Sequence, residues 1–453
     1  MGDHKPFQPD ELPALFDPVV VRPVPARALA VSGGSDSTAL MVLFAEWLRS
    51  CGEDVTTHVV LTVDHGLRPE SSEETRAVAA RAQAIGFRHA ILVWEGPKPA
   101  SGIQAAARAA RYRLLGGYMR ANGISLLLTG HTQDDQAETL LMRLARGSGL
   151  DGLTGIAPRA RWRDLGFSDP QFEDLEVARP LLDVPRSKLR ATLKTRGIRW
   201  IEDPSNADPD FERPRLRAAR DQFEALGLTG EKLAASARRL LRVRKAVERA
   251  VDDFCGPASN AVVVDPLGCI TVDRERLRRK DEEIALRTLE RAVAACGGNP
   301  EPGPLGKLEG LAAMLQSTQE GRWTLARAMI TATASEITIE REPGRRPAPV
   351  LYLSAGEQAL WDGRFVVDVG KTAPSEPVEV RACGDELARE VSGRHPSPGR
   401  VPLPAAAFVP AFWSSGGLVA VPSLNVWPVP HWRSWIKARF VGDEIMRRGC
   451  TRP

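Results

Sequence analysis

Long apolar runs are missing from this chain. No stretch approaches the roughly 20 consecutive apolar residues that a membrane-crossing helix needs. The opening MGDHKPFQPDELPALF carries acids where a secretory leader would carry its apolar centre. Cysteine is scarce, six in 453 residues, and Cys51, Cys255, Cys269, Cys296, Cys383 and Cys450 lie far apart with no C-x-x-C pair. That spacing writes neither a disulfide framework nor a zinc or iron–sulfur knuckle, so thiol chemistry loses its usual carrier. Net charge is small: 61 basic against 57 acidic residues give +4, too little to imply a partner. The excess is local, because Arg381 to Pro453 holds ten Lys/Arg against five Asp/Glu. No internal repeat is visible. The expectation is a cytoplasmic protein with no membrane association and no obligate protein partner evident.

What is present is the composition of a globular chain, 43% hydrophobic and 26% charged, at a length that suggests about three domains. Short apolar runs at Ala28 to Val31, Thr57 to Val63, His89 to Trp94 and Ser125 to Thr129 read as strands buried on both faces. Helix-length segments lie between them, Thr38 to Arg49, Ser71 to Ile85 and Ile103 to Ala121. This alternation predicts an α/β fold with a parallel sheet, whose ligands bind beyond the carboxyl ends of the strands. Residues 159–170 read as irregular, followed by a strand, a helix started by Pro185 and a second short strand before Asp203. Residues 1–215 are thus expected to form the α/β domain. Residues 216–340, with Ala and Arg in helical spacing (EKLAASARRLLRVRKAVERA), are expected to be a mostly helical, tRNA-binding domain, its arginines either neutralising RNA phosphates or forming a solvated helix face. A proline-rich joint, REPGRRPAPV, opens a small C-terminal α+β domain, 341–453, where Trp413, Trp427, Trp432 and Trp435 alternate with basic residues.

Each candidate site follows a strand. Ser32-Gly33-Gly34-Ser35-Asp36-Ser37 joins the first strand to a helix. Glycines admit a ligand close to the backbone, and the first N–H groups of a helix form an anion cradle to which the serine hydroxyls add donors. There is no G-K-[ST] lysine, and Asp36 beside a phosphate asks for a cation between them, which suggests Mg2+. Asp64, in Asp64-His65-Gly66-Leu67-Arg68, either recognises a nucleoside in the same cleft or only makes a turn. Arg108 and Arg111, three apart on a helix, either stabilise charge on a phosphate or form a solvated face. His131, Asp135 and Glu138 are spaced by four and three, so they share one helical stripe. Two carboxylates there can hold an ammonium group or a metal, or simply favour the helix dipole. His131 is a candidate general base or a helix cap. Arg213 and Arg217 either contact RNA phosphate or face solvent.

The turn SGGSDS resembles the PP-loop of the ATP pyrophosphatase superfamily, which implies an adenine nucleotide alpha hydrolase-like fold, ATP as substrate and attack on its α-phosphate with release of PPi. GHTQDDQAETLLMRLARGSGLDGL, RPLL and WIEDPSN, with Phe211, Arg213 and Arg217, are similar to signatures of the tRNA(Ile)-lysidine synthase family. The likeness is carried by the first 220 residues. It implies that ATP adenylates the wobble cytidine of tRNA(Ile) with a CAU anticodon and that the ε-amine of free L-lysine then displaces AMP. In that reading Ser32 to Ser37 and Asp64 bind ATP, Asp36 holds Mg2+, and Asp36, Arg108, Arg111 and His131 are catalytic. Asp135 and Glu138 would hold lysine, and Arg213 and Arg217 would meet RNA. Pro214 departs from the Asn that many relatives carry, which opens the question of the local backbone and of Arg215. The rivals are another PP-loop tRNA-modifying enzyme, against which the missing motif cysteines count, and a noncatalytic RNA-binding protein on the same fold.

Overall fold

The computed structural model describes residues 5–20, 25–66, 71–96, 98–99, 101–165, 172, 174–202, 212–299, 305–317, 320–344, 347–392 and 403–448. The chain divides into two compact units between Arg244 and Lys245.

The first unit contains α1 (Leu12–Phe16), β1 (Ala28–Ala30), α2 (Ser35–Ser50), β2 (Val59–Asp64), α3 (Ser71–Ile85), β3 (Arg88–Val93), α4 (Ile103–Ala121), β4 (Leu126–Thr129) and α5 (Gln133–Ala145). It continues with α6 (Leu150–Leu153), β5 (Arg159–Arg161), β6 (Glu176–Ala178), α7 (Arg186–Thr195), α8 (Glu212–Ala218), α9 (Arg220–Ala225) and the start of α10 (Gly230–Cys255). The sheet order is β3-β2-β1-β4-β6-β5, parallel throughout except for β5. Alternate strand residues point to opposite faces, and both faces are covered. Leu29, Val60, Leu126 and Leu128 pack with Leu40, Phe44 and Leu189, while Ala28, Val59, Leu61 and Leu127 pack with Tyr112, Leu115 and Met119. From β1 the chain builds outward through β2 and β3, then returns to place β4 on the other side of β1. The crevice at this reversal is where open α/β sheets bind ligands.

Three local expectations differ from the structure. The run His89 to Trp94, read as buried on both faces, forms β3 at the edge of the sheet, where Ile91 and Val93 are exposed. Arg159–Arg161, read as irregular, pairs antiparallel with β6 as the sheet's edge, a place where arginines on a three-residue strand remain solvated. The short strand expected before Asp203 is absent from residues 198–202; there the backbone serves the site instead, through Ile201 N–H, which donates to Gly33 O at 2.9 Å.

In the second unit, β7 (Val262–Asp265), β8 (Cys269–Asp273), α11 (Arg274–Arg278), α12 (Glu282–Gly297), α13 (Leu305–Gln316), β9 (Gly321–Leu325), β10 (Ala328–Ala332) and β11 (Glu336–Arg341) form a five-stranded antiparallel sheet with helices. Residues 216–340 therefore hold sheet as well as the helices expected there. β12 (Leu351–Leu353), β13 (Gln358–Trp361), β14 (Phe365–Val369), β15 (Val378–Ala382), α14 (Asp385–Ser392), α15 (Leu403–Ala406), β16 (Pro410–Ser414), β17 (Gly417–Ala420), β18 (Ile436–Phe440) and α16 (Gly442–Arg448) follow. Their strands make sheets ordered β12-β15-β16-β17 and β13-β14-β18. Trp432 is buried, and Trp413, Trp427 and Trp435 pack against the same core. Among the described residues no helix is long and apolar enough to cross a membrane.

Candidate active site

The turn after β1 is built by its glycines and serines. Gly33 has φ +91°, a conformation that side-chain-bearing residues rarely adopt, and a Cβ there would press on Ile201 Cδ1 at 2.5 Å, so a substitution is strained. Its carbonyl accepts from Thr38 Oγ1 at 3.1 Å. Gly34 is the N-cap of α2. Ser37 Oγ accepts from Ser32 N–H at 3.2 Å and donates to Gly34 O at 3.2 Å, which closes the turn on itself. Gly130, after β4, approaches so closely that a Cβ would sit 3.0 Å from the backbone of Asp36 and Ser37. The loops after β1 and β4 are thereby held against each other, with the first N–H groups of α2, which have no intrahelical acceptor, at their junction.

A carboxylate–guanidinium network faces this turn. Arg186 Nε donates to Asp36 Oδ2 at 2.7 Å, its NH2 to Asp135 Oδ1 at 3.3 Å, and its NH1 lies 3.8 Å from Glu138 Oε1. The Arg186 backbone N–H donates to Asp134 Oδ2 at 2.8 Å. Arg217 grips both oxygens of Glu138, at 2.6 and 3.2 Å, the forked geometry that suits guanidinium to carboxylate. Arg213 NH1 is 3.8 Å from Asp135 Oδ1. Asp135 has two tasks. Its Oδ2 accepts from Thr132 N–H at 2.8 Å and Thr132 Oγ1 at 2.9 Å, a capping box for α5; its Oδ1 faces the arginines. Burial raises the Asp36 carboxyl above the ordinary carboxylate value, with Arg186 opposing. Burial also pushes Asp135 up, but Arg186, His131 and the Thr132 hydrogen bonds prevail and hold it below the ordinary value.

The opposite wall carries histidines and α4. Arg111 donates from Nε and NH2 to His65 Nε2, at 3.3 and 3.1 Å. Burial and the Arg111 charge bring His65 down to about 4, so the ring is neutral at neutral pH. Arg108 stacks over the Tyr112 ring at 5.0 Å. His131 Nδ1 is 2.9 Å from Thr129 Oγ1; burial and the neighbouring Arg179 bring its pKa to about 3. Such an imidazole can exchange hydrogen bonds but holds no proton to give near neutrality. A cavity of about 1030 Å³ joins these groups, and a smaller one of about 360 Å³ adjoins it, sharing Arg186, Arg190 and Arg217 in its wall.

The PP-loop domain family matches residues 11–220 of this chain. A tRNA(Ile)-lysidine synthase of Bradyrhizobium diazoefficiens is 42% identical over 363 residues, covering 76% of this chain and 97% of its own. Another, from Rhodopseudomonas palustris, is 40% identical over 76% of this chain and 98% of its own. A third, from Ruegeria pomeroyi, is 35% identical and reaches 88% of this chain and 89% of its own. The chain belongs to the tRNA(Ile)-lysidine synthase family. A solved structure of the U34-tRNA thiolase NcsA from Methanococcus maripaludis with its [4Fe-4S] cluster covers 51% of this chain and 79% of its own, at 17% identity and a TM-score of 0.41, too weak a likeness to assign anything.

Most residues singled out in the sequence converge. Ser32, Gly34, Ser35, Asp36, Ser37, Arg108, Arg111, His131, Asp135, Arg213 and Arg217 line the large cavity. Glu138 lines the adjoining one, and Gly33 supports the turn from behind. Asp64 is not brought in. It lies outside both cavity linings, and its carboxylate accepts from Gly66 N–H at 2.9 Å, Ser71 Oγ at 2.7 Å and Ser72 Oγ at 3.0 Å. Burial raises Asp64, yet these hydrogen bonds keep it below its ordinary value; it fastens the turn into α3. Arg213 and Arg217 lie inside the cleft, against the acids of α5, rather than on an outer face. Pro214 falls in the first turn of α8, where a missing N–H costs no helical hydrogen bond, and Arg215 lies outside both linings. Arg68, Asp203 to Asn206 and Phe211 lie outside the described residues. Sequence reasoning missed Arg186, the hub of the network. A signal existed: Arg186 and Lys188 put cations into the first turn of α7, against the helix dipole, which calls for compensating acids nearby.

Proposed function

We propose that this chain, whose relatives carry the name tRNA(Ile)-lysidine synthase, ligates L-lysine to C2 of the wobble cytidine, position 34, of tRNA(Ile) with a CAU anticodon, giving lysidine, AMP and PPi. The observation that carries this reading is Arg186, which touches Asp36 and Asp135 in the large cavity and lies 3.8 Å from Glu138 in the adjoining one, so that a nucleotide site and a cation site share one wall. In this mechanism the target base leaves its stack to enter the cleft. Cytosine O2 attacks the α-phosphate of ATP, and the bond to the β-phosphate breaks to release PPi. Arg108 and Arg111 face the charge that develops at the α-phosphate. The lysine ε-amine then attacks C2, the C2–O bond breaks, and AMP leaves with that oxygen. Asp135 and Glu138 hold the incoming ammonium, whose proton passes to solvent before the amine attacks. His131 orients this wall by hydrogen bonding.

Asp36 fits Mg2+: one cavity-facing carboxylate beside a phosphate cradle suits an ion that takes one or two carboxylates and completes its shell with phosphate oxygens and water. Among the described residues no cluster of three His, Cys, Asp or Glu could hold a metal by itself. The ion would supply positive charge to the phosphates of ATP. Arg213 and Arg217, placed inside the cleft, would meet RNA only at the reacting nucleotide.

The test is mass analysis of tRNA(Ile) bearing CAU after incubation with ATP and isotope-labelled lysine. The expected product carries one labelled lysyl group on the anticodon loop and forms only with ATP present. Unchanged tRNA under complete conditions, with the protein folded, would overturn the assignment in favour of a noncatalytic RNA-binding role.

A further inference from the structure

The turn Ser32–Ser37 has amides and hydroxyls for a polyphosphate but no cation of its own, since the lysine of a G-K-[ST] loop is absent. The cavity as a whole is nevertheless electropositive, lined by six arginines against four carboxylates, Asp36, Glu74, Asp135 and Glu202. Most of those arginines are already committed. Arg186 and Arg217 are bound to Asp36, Asp135 and Glu138. Arg213 neighbours Asp135, Arg111 is held by His65, and Arg108 stacks on Tyr112. Arg190 differs. It follows Arg186 by four residues, hence one turn along the same face of α7. Its Nε lies 3.5 Å from Ser35 Oγ in the cradle itself, its guanidinium sits 5.9 Å from the Trp200 ring, and it has no carboxylate partner among the described residues.

We propose that Arg190 supplies the positive charge that the cradle lacks and binds the β- and γ-phosphates of ATP, the pair that departs as PPi. This rests on the reading of Ser32–Ser37 as the phosphate site. A planar fork with five donors matches phosphate oxygens, and placing it on α7 joins the leaving pyrophosphate to the helix that also carries Arg186. An uncommitted guanidinium next to Ser35 meets an incoming phosphate without first breaking an ion pair. The assignment predicts discrimination by phosphate number: Arg190 recognises ATP and PPi, and it contributes nothing to AMP.

Calorimetric titration of ATP, PPi and AMP into the full chain and into R190Q, R190K and G34V separates this inference from the reading beneath it. R190Q is expected to weaken ATP and PPi by about tenfold or more, to leave AMP unchanged, and to be rescued in part by R190K. Equal ATP affinity in R190Q and wild type overturns the inference, as does an equal loss of ATP and AMP. G34V tests the underlying reading, because Gly34 lines the cavity and a Cβ there meets nothing closer than Ser32 Oγ, at 3.8 Å, so a side chain at this position takes up space in the cradle. If ATP binds G34V normally, the phosphate site lies elsewhere; if G34V abolishes binding while R190Q does not alter it, only the role of Arg190 falls.

Discussion

Two clusters of the same chemistry sit in the two units. In the first unit, Asp36, Asp135 and Glu138 meet Arg186, Arg213 and Arg217 on the walls of a large cavity and the smaller one beside it. In the second unit, a single carboxylate, Asp362, meets Arg327, Arg341 and Arg364. Asp362 and Arg364 side chains are wholly buried. Asp362 and Gly363, both with positive φ, +50° and +68°, form the centre of the turn that joins β13 to β14, closed by Arg364 N–H donating to Trp361 O at 3.0 Å. Burial raises the Asp362 carboxyl, but Arg364 and Arg341 outweigh it and hold it below its ordinary value. Asp36 titrates in the opposite direction. The difference teaches what a salt-bridge network is for. Where solvent and ligand cannot reach it, the pairing fixes a turn to its sheet; where it lines a cavity with arginines in surplus, its partners are exchangeable for substrate charges.

The sharpest way to break the comparison is Asp36→Ala. PPi release is expected to fall on the order of 10³-fold or more, with the circular dichroism spectrum and melting of the first unit retained; near-normal release would remove Asp36 from the chemistry. Asp362→Ala should do the reverse. It leaves buried guanidinium groups uncompensated and is expected to cost about 3–5 kcal/mol in urea unfolding, while ATP affinity of the folded protein stays unchanged. A stable Asp362→Ala protein would show that the closed cluster is not a staple. Asp135→Asn keeps an oxygen for the α5 cap and removes the charge. The lysine KM should rise by about 10- to 100-fold while PPi release with tRNA and ATP alone persists; an unchanged KM would move the ammonium site elsewhere.

Acid titration sharpens the contrast between the units. His58 is buried, with Nδ1 accepting from Arg27 N–H at 3.1 Å, and burial, with Arg27 and Arg88 nearby, brings it to about 4. His65 and His131 are depressed as well, to about 4 and about 3. The unfolded chain binds their protons first, so the stability they contribute is complete above about pH 6.5 and declines as pH falls toward 4. For His58 alone the loss is on the order of 3 kcal/mol at most. Scanning calorimetry between pH 7 and pH 4.5 should therefore move the melting of the first unit downward, and His58→Gln should flatten that slope. A pH-independent transition would contradict the burial of a neutral His58.

The legible part of the molecule was the part written by local pattern. β1, β2 and β4 are apolar runs buried on both faces, and the turn between β1 and α2 announces itself through two glycines and a carboxylate, so the centre of the sheet and its reversal point follow from the chain. Arg186 was harder, because its partners lie about 50 and 150 residues away; only its unfavourable place at the start of α7 marked it. Asp64 misled for the opposite reason: a carboxylate at a strand end looks like a ligand group until Ser71 and Ser72, seven and eight residues on, are seen to use it. The sheet β7-β8-β11-β10-β9 was masked by the strong helical texture of α10 and α12 around short strands of four to six residues.

The most direct test of the account is the timing of PPi. With ATP and tRNA(Ile) but no lysine, a stoichiometric burst of PPi is predicted, followed by continuous turnover once lysine is added. PPi formed from ATP and lysine without tRNA, or no PPi until lysine arrives, would contradict adenylation of the nucleotide base in this cavity.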